Sequence, residues 1–500
     1  MTVSGVSASI APVLLSIQKM NSQLDDLQRQ LGTGQKADNY SGLGAQSGIA
    51  VALSAQLSAI GSYDDTMTNI GTNISLKQSV LQQIADVGST VQAATVTPKY
   101  AIDSTGQTTV QKTASDQFNQ ILSALNTQGG NGYLFSGAGL NQPSVDSMDH
   151  ILNGNGAQAG LKQVIAERNQ ADLGADGLGR LVIPPTGGGT TVSMNEDVAG
   201  SPFGLKLAAI NSTLTGATVT GPAGSPAAVS VDLSAATINP GENVTFTFTL
   251  PDGTSQTLKL QATNASPPGA NQFTIDPSNA VTATNLQAAL TAGVSQIGST
   301  SLSAASAMVA SGNFFDDPPQ RVSGPPATAT ALTNGTSADT VSWYTGDKSA
   351  SSPRSTSVAR IDTSTVVSYG TQANEEGIRW VLQSVAALAA TTYSASDPNA
   401  SASYTALNQR VYAALGTPPG IQSVDDIEAS LANAQTSIKT AQDQHAQTTN
   451  TLTDMLKSIE GVDTTTIGAQ ILSLQTSLEA SLSTTARLSQ INLLAYLPAP

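Results

Sequence analysis

Apolar residues recur at helical spacing along both ends of this chain, and that pattern limits the possible fold more than any other feature. Near the N-terminus they repeat every seventh position, with a second set three positions after the first. The stripe consists of Ile10, Val13, Ile17, Met20, Leu24, Leu27 and Leu31. These are the a and d positions of a heptad repeat, and they predict an amphipathic helix that ends at Gly32 and Gly34.

A second apolar stripe begins after the linker 36–48 and runs from Ile49 to Val91, stopping before Pro98. Its spacing predicts one helix over about 46–95, on the order of 70 Å long at about 1.5 Å per residue. Such a length far exceeds that of an ordinary globular helix. A helix this long needs a partner of similar length to cover its apolar stripe.

The C-terminal end supplies candidate partners. Apolar positions alternate four and three residues apart from Ile427 to Ile459, which predicts a long helix starting near 423–426. Gly461 interrupts the pattern, and a terminal amphipathic helix follows. Its stripe consists of Ile467, Ile471, Leu474, Leu478, Leu482, Leu488, Ile491, Leu494 and Leu497. Shorter helices are predicted at 113–126 and 373–390.

The periodicity changes in the middle of the chain, where Gly, Pro, Asn, Ser and Thr are dense from about 133 to 369. Two alternating stretches, 244–250 and 257–261, flank the turn residues 251–253 and predict a β-hairpin. Further strands are predicted at 181–183, 272–275 and 340–344, and helices at 285–294 and 303–310. The centre is therefore predicted to be a mixed, β-rich region of one or two domains.

Together these patterns predict a mainly α rod, a long antiparallel helical bundle from both chain ends, with a β-rich, mixed α+β central insertion forming outer domains. Five segments follow. They are a first core helix and linker (1–45), the N-terminal part of the rod (46–140), the outer insertion (141–370), the C-terminal part of the rod (371–460) and a terminal core helix (461–500).

The composition of the chain limits the kinds of partner that it can bind. The net charge of -15, without a Lys or Arg cluster, argues against nucleic acid and anionic membrane surfaces. The chain has no cysteine, which removes disulfides and thiolate chemistry. Its first residues lack the pattern of a cleavable signal peptide, and no stretch approaches the roughly 18 apolar residues of a membrane span. We therefore expect no membrane insertion, and any export to be independent of a cleavable signal.

The sequence offers no constellation for catalysis. The two histidines, His150 and His445, lie in different predicted regions without neighbouring ligands, so no zinc motif can be drawn. His445 falls on an apolar helical stripe, which predicts a packed helix histidine. The glycine-rich segments lack the context of a phosphate loop. We predict no catalytic residue, no cofactor and no metal, and hence a protein that is not an enzyme.

Several segments resemble the bacterial flagellin family. Leu27-Gln-Arg-Gln-Leu-Gly-Thr-Gly-Gln-Lys36 resembles the family signature L-x-x-L-S-S/T-G-x-R/K. The run 39–44 stands where many flagellins carry Asp-Asp-Ala-Ala-Gly, although the acidic pair is missing here. The segments 132–137 and 486–497 resemble the family's entry into its β-hairpin and its aliphatic C-terminal helix. Together these motifs cover roughly the first 140 and the last 130 residues of the chain.

The resemblance implies a homopolymer, the extracellular flagellar filament that drives swimming, exported through the flagellar type III channel. It implies terminal helices that are disordered in the monomer and fold on polymerisation, and partners that include an export chaperone, a cap and hook-junction proteins. An isolated amphipathic segment loses entropy on ordering, which assembly offsets by burying its stripe. The stripes of the first and terminal helices are therefore the expected polymerisation interface.

Three alternatives stay open. The segments 28–36 and 343–347 fit the hook-filament junction protein as well as they fit flagellin. That protein is a homologue with similar ends that assembles as a short ring. The Thr-rich middle could form an adhesive or glycan-binding outer domain carried on the rod. An enzyme within that insertion is a weaker third possibility.

Overall fold

The computed structural model describes residues 7–130, 132–349, 352–416 and 420–490. Long helices occupy both ends of the described chain and shorter helices lie between them. The helices are α1 (Ser7–Thr33), α2 (Ser47–Thr95), α3 (Thr109–Leu125), α4 (Met148–Asn153), α5 (Leu161–Leu173), α6 (Asn279–Ile297), α7 (Ser303–Phe315), α8 (Glu376–Ala390), α9 (Ala400–Gly416), α10 (Val424–Glu460) and α11 (Thr464–Gln490). The predicted helices at both ends are confirmed, and so are the two near 113–126 and 373–390.

Local capping explains where several helices begin. Thr108 and Gln111 form a reciprocal capping box at the start of α3, which satisfies backbone N–H groups that have no partner within the helix. At the start of α10, Ser423 Oγ accepts from the Asp426 N–H at 3.1 Å, and Asp426 Oδ2 accepts from the Ser423 N–H at 2.8 Å. The predicted start of this helix at 423–426 is thus confirmed, and these two hydrogen bonds are its physical cause.

The central region contains short strands grouped in small sheets. The strands are β1 (Gln128–Gly129), β2 (Gly132–Tyr133), β3 (Leu181–Val182), β4 (Thr191–Glu196), β5 (Lys206–Ser212), β6 (Thr218–Ala223), β7 (Ala228–Asp232), β8 (Asn243–Thr249), β9 (Ser255–Thr263), β10 (Gln272–Thr274), β11 (Gln320–Val322), β12 (Leu332–Asn334), β13 (Val358–Arg360) and β14 (Val366–Ser368). The two four-stranded sheets have the orders β10-β9-β8-β5 and β3-β4-β7-β6.

The predicted hairpin is the pair β8 and β9, antiparallel with Thr249 opposite Ser255. Alternate side chains point to one face, so Phe246, Phe248 and Leu258 are buried. This face packs with α6 and with residues of the other four-stranded sheet in one continuous hydrophobic core. The Thr side chains between the phenylalanines lie on the opposite, more exposed face.

The strand predicted at 340–344 is wrong. Only isolated bridges occur there, between Thr340 and Ala159 and between Tyr344 and Val145. Trp343 and Tyr344 are both almost fully buried, and Trp343 contacts Phe315 edge-to-face. Consecutive buried side chains cannot share one face of a strand, so aromatic packing replaced the alternation that a strand needs. Helices α5 and α9 and strands β4 to β7 were not predicted.

The chain forms two compact units. One contains the described residues up to Gly71, Ala359–Val367 and those from Thr436 onward; the other contains Thr72–Val358 and Ser368–Gln435. Helices at both ends therefore flank a central region of small sheets, as predicted. The full-length antiparallel bundle remains a prediction, and so do the five segment boundaries.

One helical stretch of the described chain, Tyr40–Thr95, is long and apolar enough by length and composition to cross a membrane. The expectation that no stretch approaches this criterion was therefore too strict. A single such helix is weak evidence of a span, because core helices of soluble proteins pass the same test. Of its most apolar 18-residue window, 11% is buried inside the described structure, whereas Met67, Ile74 and Ile84 of the same helix are fully buried.

Candidate assembly surface

Helices α1 and α11 pack against each other within one compact unit. Their direction follows from the segment after α1, because Gln35 forms an antiparallel bridge with Gly461, just before α11 begins. The Lys36 N–H donates to the Glu460 carbonyl at 2.7 Å, and the Val462 N–H donates to the Gly34 carbonyl at 3.1 Å. The end of α1 thus lies beside the start of α11, so the two helices are antiparallel.

The segment after α1 also closes the C-terminal end of α10. The Lys36 ammonium donates to the carbonyls of Ser458 at 3.1 Å and Ile459 at 2.9 Å. The last carbonyls of a helix have no partner within it and carry partial negative charge, so a cation there is favourable. The last residue of the signature motif 27–36 therefore ties α10 to the turn that follows α1.

Arg29 holds the same turn from the other side. Its guanidinium lies 2.6 Å from Asp26 Oδ1 and 2.7 Å from Asp38 Oδ1, and it donates to the Lys36 carbonyl at 3.2 Å. The hydrogen bond with Asp26 is the main cause that raises the pKa of Arg29. The signature residues 27–36 thus act structurally, as the C-terminal end of α1 and the hydrogen-bonded turn that follows it.

The run 39–44 forms the next turn. Asn39 is its N-cap, and its Oδ1 accepts from the Gly42 N–H at 3.1 Å and from Ser41 Oγ at 2.6 Å. An Asn side chain accepts these bonds as an Asp would, which accounts locally for the missing acidic residue. Leu43 then packs on a small core between α2 and α10. That core consists of Ala50, Leu53, Leu452 and Ile459.

Asp463 caps α11. Its carboxylate accepts from Thr466 Oγ1 at 2.9 Å and from the Thr465 N–H at 2.9 Å. These hydrogen bonds, led by that from Thr466, lower the pKa of Asp463 because they stabilise the ionised form. The carboxylate also lies at the positive end of the helix dipole. Gly461 and Asp463 together explain why one helix ends at Glu460 and another begins at Thr464.

His445 is a packed helix histidine, as predicted. It is 5% exposed, and its Nδ1 lies 2.9 Å from Asp64 Oδ1 of α2. Its Nε2 lies 3.9 Å from Asp362 Oδ1, in the segment between β13 and β14. The Tyr63 ring packs beside the imidazole at a centroid distance of 6.1 Å. His445 thus connects three parts of this unit that are distant in sequence.

The predicted interface residues fall into five groups. Ile467 and Ile471 are buried within the unit. Half-buried residues are Val13, Ile17, Met20, Leu24, Leu27, Leu474 and Leu478, while Leu31 and Leu482 are exposed. Ile10 and Leu488 lie in α1 and α11. Ile491, Leu494 and Leu497 lie outside the described residues.

Sequence reasoning missed further exposed leucines on the same two helices. Leu14, Leu15 and Leu472 are 51%, 69% and 66% exposed. None of these three leucines belongs to the predicted stripes. Each lies next to a stripe residue or one position further along the sequence, and counting such neighbours as part of a wider apolar face would have predicted them. Assembly was expected to bury the stripes of these segments, but α1 and α11 already pack against each other within the unit, where Ile467 and Ile471 are buried.

Comparison with known protein families matches residues 8–139 to the bacterial flagellin N-terminal helical region. The matched range runs from α1 through α2 and α3 to just beyond β2. It therefore includes the turn held by Arg29 and Lys36. A comparison with curated proteins found no match.

Proposed function

This chain belongs to the bacterial flagellin family, and we propose from this premise that it polymerises head-to-tail into the flagellar filament that drives swimming. Members of the family are structural proteins that are exported to the extracellular flagellum rather than enzymes. In this proposal the chain is one subunit of a homopolymer, and the helices at its two ends make the contacts between subunits.

The observation that carries the proposal is the exposed leucine surface of the α1–α11 pair. Leu14, Leu15, Leu472 and Leu482 are all roughly half exposed or more. Burying a leucine side chain completely is worth about 1.5–3 kcal/mol, so a partner that covers this surface would gain several such contributions. A head-to-tail contact that does not close generates a helical filament.

We assign the intermolecular contact to the exposed and half-buried members of the predicted stripes together with the newly found leucines. Ile467 and Ile471 then hold α11 in place inside the subunit and do not contact a neighbour directly. The export chaperone, the cap and the hook-junction proteins are further partners in this proposal, by family resemblance.

The first experiment removes residues 464–500 from the chain. We expect seeded polymerisation, followed by light scattering and negative-stain imaging, to be abolished. Trp343 and Trp380 both lie in the other compact unit, so an unchanged tryptophan emission would show that this unit stays folded. Filaments of normal length from the truncated protein would refute the assignment of α11.

A full-length variant separates loss of the surface from loss of the helix. Leu15→Asp places a charge on the exposed face of α1, and Gln18→Asp places the same charge at an exposed polar position of that helix. We expect the Leu15 variant to polymerise at least tenfold more slowly, whereas the Gln18 variant stays within about twofold of the parent. Equal polymerisation of the two variants would exclude the leucine surface from the contact.

The rival within the family is the hook-filament junction protein, which the segments 28–36 and 343–347 suit as well as they suit flagellin. Abundance distinguishes the two functions, because a filament subunit dominates sheared extracellular flagella. A minor band that stays at the filament base would favour the junction protein.

A further inference from the structure

A cavity of about 690 Å³ opens between α7, α8, α9 and the turn that joins β8 to β9. Cavities of about 300–1,000 Å³ are typical of small-molecule sites. All its lining residues belong to the compact unit that contains the two four-stranded sheets, whereas α1 and α11 belong to the other unit. The assembly proposed above therefore does not use this cavity.

Helical spacing gathers the lining side chains. On α8, Glu376, Arg379, Trp380 and Gln383 recur three or four residues apart, and this spacing places them on one face of the helix. The faces of α7 and α9 that line the cavity repeat in the same way. Three helix faces therefore converge on one concave surface.

Trp380 gives this surface its aromatic wall. The side chain is half-buried, and its indole Nε1 donates a 2.8 Å hydrogen bond to the Ala414 carbonyl of α9. Because that bond satisfies the only polar group of the indole, the ring offers the cavity an apolar surface. The bond also fixes the orientation of the ring.

Three amides supply polar groups around this wall. Asn313, Gln383 and Gln409 line the cavity, and their side chains form no hydrogen bond with any other residue that the structure describes. Each amide has an oxygen that accepts and an NH₂ group that donates two hydrogen bonds. The site can therefore both give hydrogen bonds to a ligand and accept them from it.

Both arginines of the cavity are already paired with carboxylates. Arg410 binds Asp252 at 2.6 Å and also donates to the Ala406 carbonyl and to Thr254 Oγ1. Arg379 binds Asp316 at 3.2 Å, and the carboxylate of Glu376 adds one further negative charge. With both guanidinium groups engaged, an anionic ligand would meet no free cation. The cavity therefore disfavours an anionic ligand.

Gly312 enlarges the cavity from the α7 side. A glycine inside a helix costs up to about 1 kcal/mol relative to alanine. A Cβ at this position would meet only Gln383 Oε1, at 3.8 Å, so packing does not demand a glycine here. Because Gly312 has no side chain, there is open space beside the Gln383 amide.

We propose that this cavity binds a short, neutral oligosaccharide. A sugar ring presents an apolar face of C–H groups, which matches Trp380, and a rim of hydroxyls that donate and accept, which matches the amides. A purely apolar ligand would leave the three amides without partners, which costs binding free energy. An anion would lack a free cation.

The site differs from the glycan-binding domain expected within 141–370, because α8 and α9 lie beyond that segment. A fragment that ends at residue 370 would lack Trp380, Gln383 and Gln409. The inference is also independent of polymerisation, since monomeric protein suffices to test it.

The test uses the labelled full-length monomer on a broad array of immobilised neutral and acidic glycans. Pocket variants are Trp380→Phe, which keeps an aromatic ring, and Gln383→Ala, which breaks no internal hydrogen bond. Gln120→Ala is the matched control, because Gln120 is an exposed amide on α3 outside the cavity. A soluble trisaccharide of any bound class is then titrated by calorimetry into every variant, and by fluorescence into those variants that keep Trp380. Trp343 is 1% exposed and contributes a constant background.

We expect at least one class of neutral glycan to bind, with affinity reduced about tenfold or more in both pocket variants and unchanged in the control. Circular dichroism identifies a misfolded variant, and Gly312→Leu then serves as a second variant that fills the cavity. Binding to no glycan overturns the proposal. Binding that survives every pocket variant, or that inorganic phosphate displaces, also overturns it.

Discussion

Lys77 Nζ donates a 2.8 Å hydrogen bond to the Tyr369 carbonyl and lies 4.9 Å above the centre of the same residue's ring. The side chain is 3% exposed, and burial lowers the pKa of Lys77 to about 7. The charge of Arg354 lowers this pKa further, and that of its ion-pair partner Glu375 raises it. The ammonium is thus held by a carbonyl and a ring, in a place where its charge is poorly solvated.

This arrangement predicts how stability depends on pH. Between the folded pKa of about 7 and the unfolded value near 10.5, the unfolded chain binds a proton that the folded chain lacks. Stability therefore rises with pH in this window, by about 1–3 kcal/mol up to pH 9.5. Lys77→Met should remove the rise, and Lys99→Met, at an exposed position, should keep it. Urea unfolding followed by tryptophan fluorescence at pH 7 and 9.5 measures the difference; an identical rise in both variants would contradict it.

A buried aspartate on α5, Asp172, pairs with Arg168 of the same helix and binds Ser306 of α7. Arg168 Nε lies 2.8 Å from Asp172 Oδ2, which also accepts from Ser306 Oγ at 2.7 Å, and Asp172 Oδ1 accepts from the Gly204 N–H. Asp172→Ala should lower the free energy of unfolding by about 3–5 kcal/mol, because Arg168 would stay buried without its partner. Asp176→Asn, at an exposed position, is the control.

The same urea titration with tryptophan detection measures this effect. The more conservative Asp172→Asn keeps an acceptor for Gly204 and should cost less than the alanine variant. A loss below about 1 kcal/mol for Asp172→Ala would show that the buried pair is not important for stability.

The cap on α10 gives a third prediction. Lys36→Met removes two hydrogen bonds to the last carbonyls of α10 and should weaken this region by about 1 kcal/mol. Hydrogen–deuterium exchange of amides near 455–465 should then be about fivefold faster. Lys19→Met is the matched control, because Lys19 is exposed in α1 without a hydrogen bond to another described residue. Equal exchange in the two variants would remove Lys36 from the cap.

A fourth prediction concerns His445. Leucine at this position keeps the apolar stripe but loses the bond to Asp64, so His445→Leu should destabilise the contact between α2 and α10 by about 1 kcal/mol. His445→Gln can still donate to Asp64 and should lose less. Exchange rates of α10 amides around 441–449 compare the two variants, and a leucine variant as protected as the parent would argue against a role for the bond.

How much of this could be predicted from the sequence depends on the range of each interaction. The helix over about 46–95 was predicted almost to the residue, because a heptad stripe and a nearby proline act over a few positions. The β8–β9 hairpin was predicted for the same reason, since alternation and Pro251-Asp-Gly253 are local. Helix α9 was missed because its buried residues, such as Tyr404 and Leu407, are separated by small residues and keep no clear stripe.

By itself, the sequence determined the helices of both ends, the hairpin and the resemblance of the signature segment 27–36. Only the tertiary structure decided what those residues contact. Lys36 and Ile459 are 423 positions apart, and nothing local to either residue indicates that one caps the other's helix. The structure likewise showed that Leu15 and Leu472 stay exposed while Ile467 is buried. Periodicity indicates that a helix has an apolar face, but only packing decides which part of that face remains open to a neighbour.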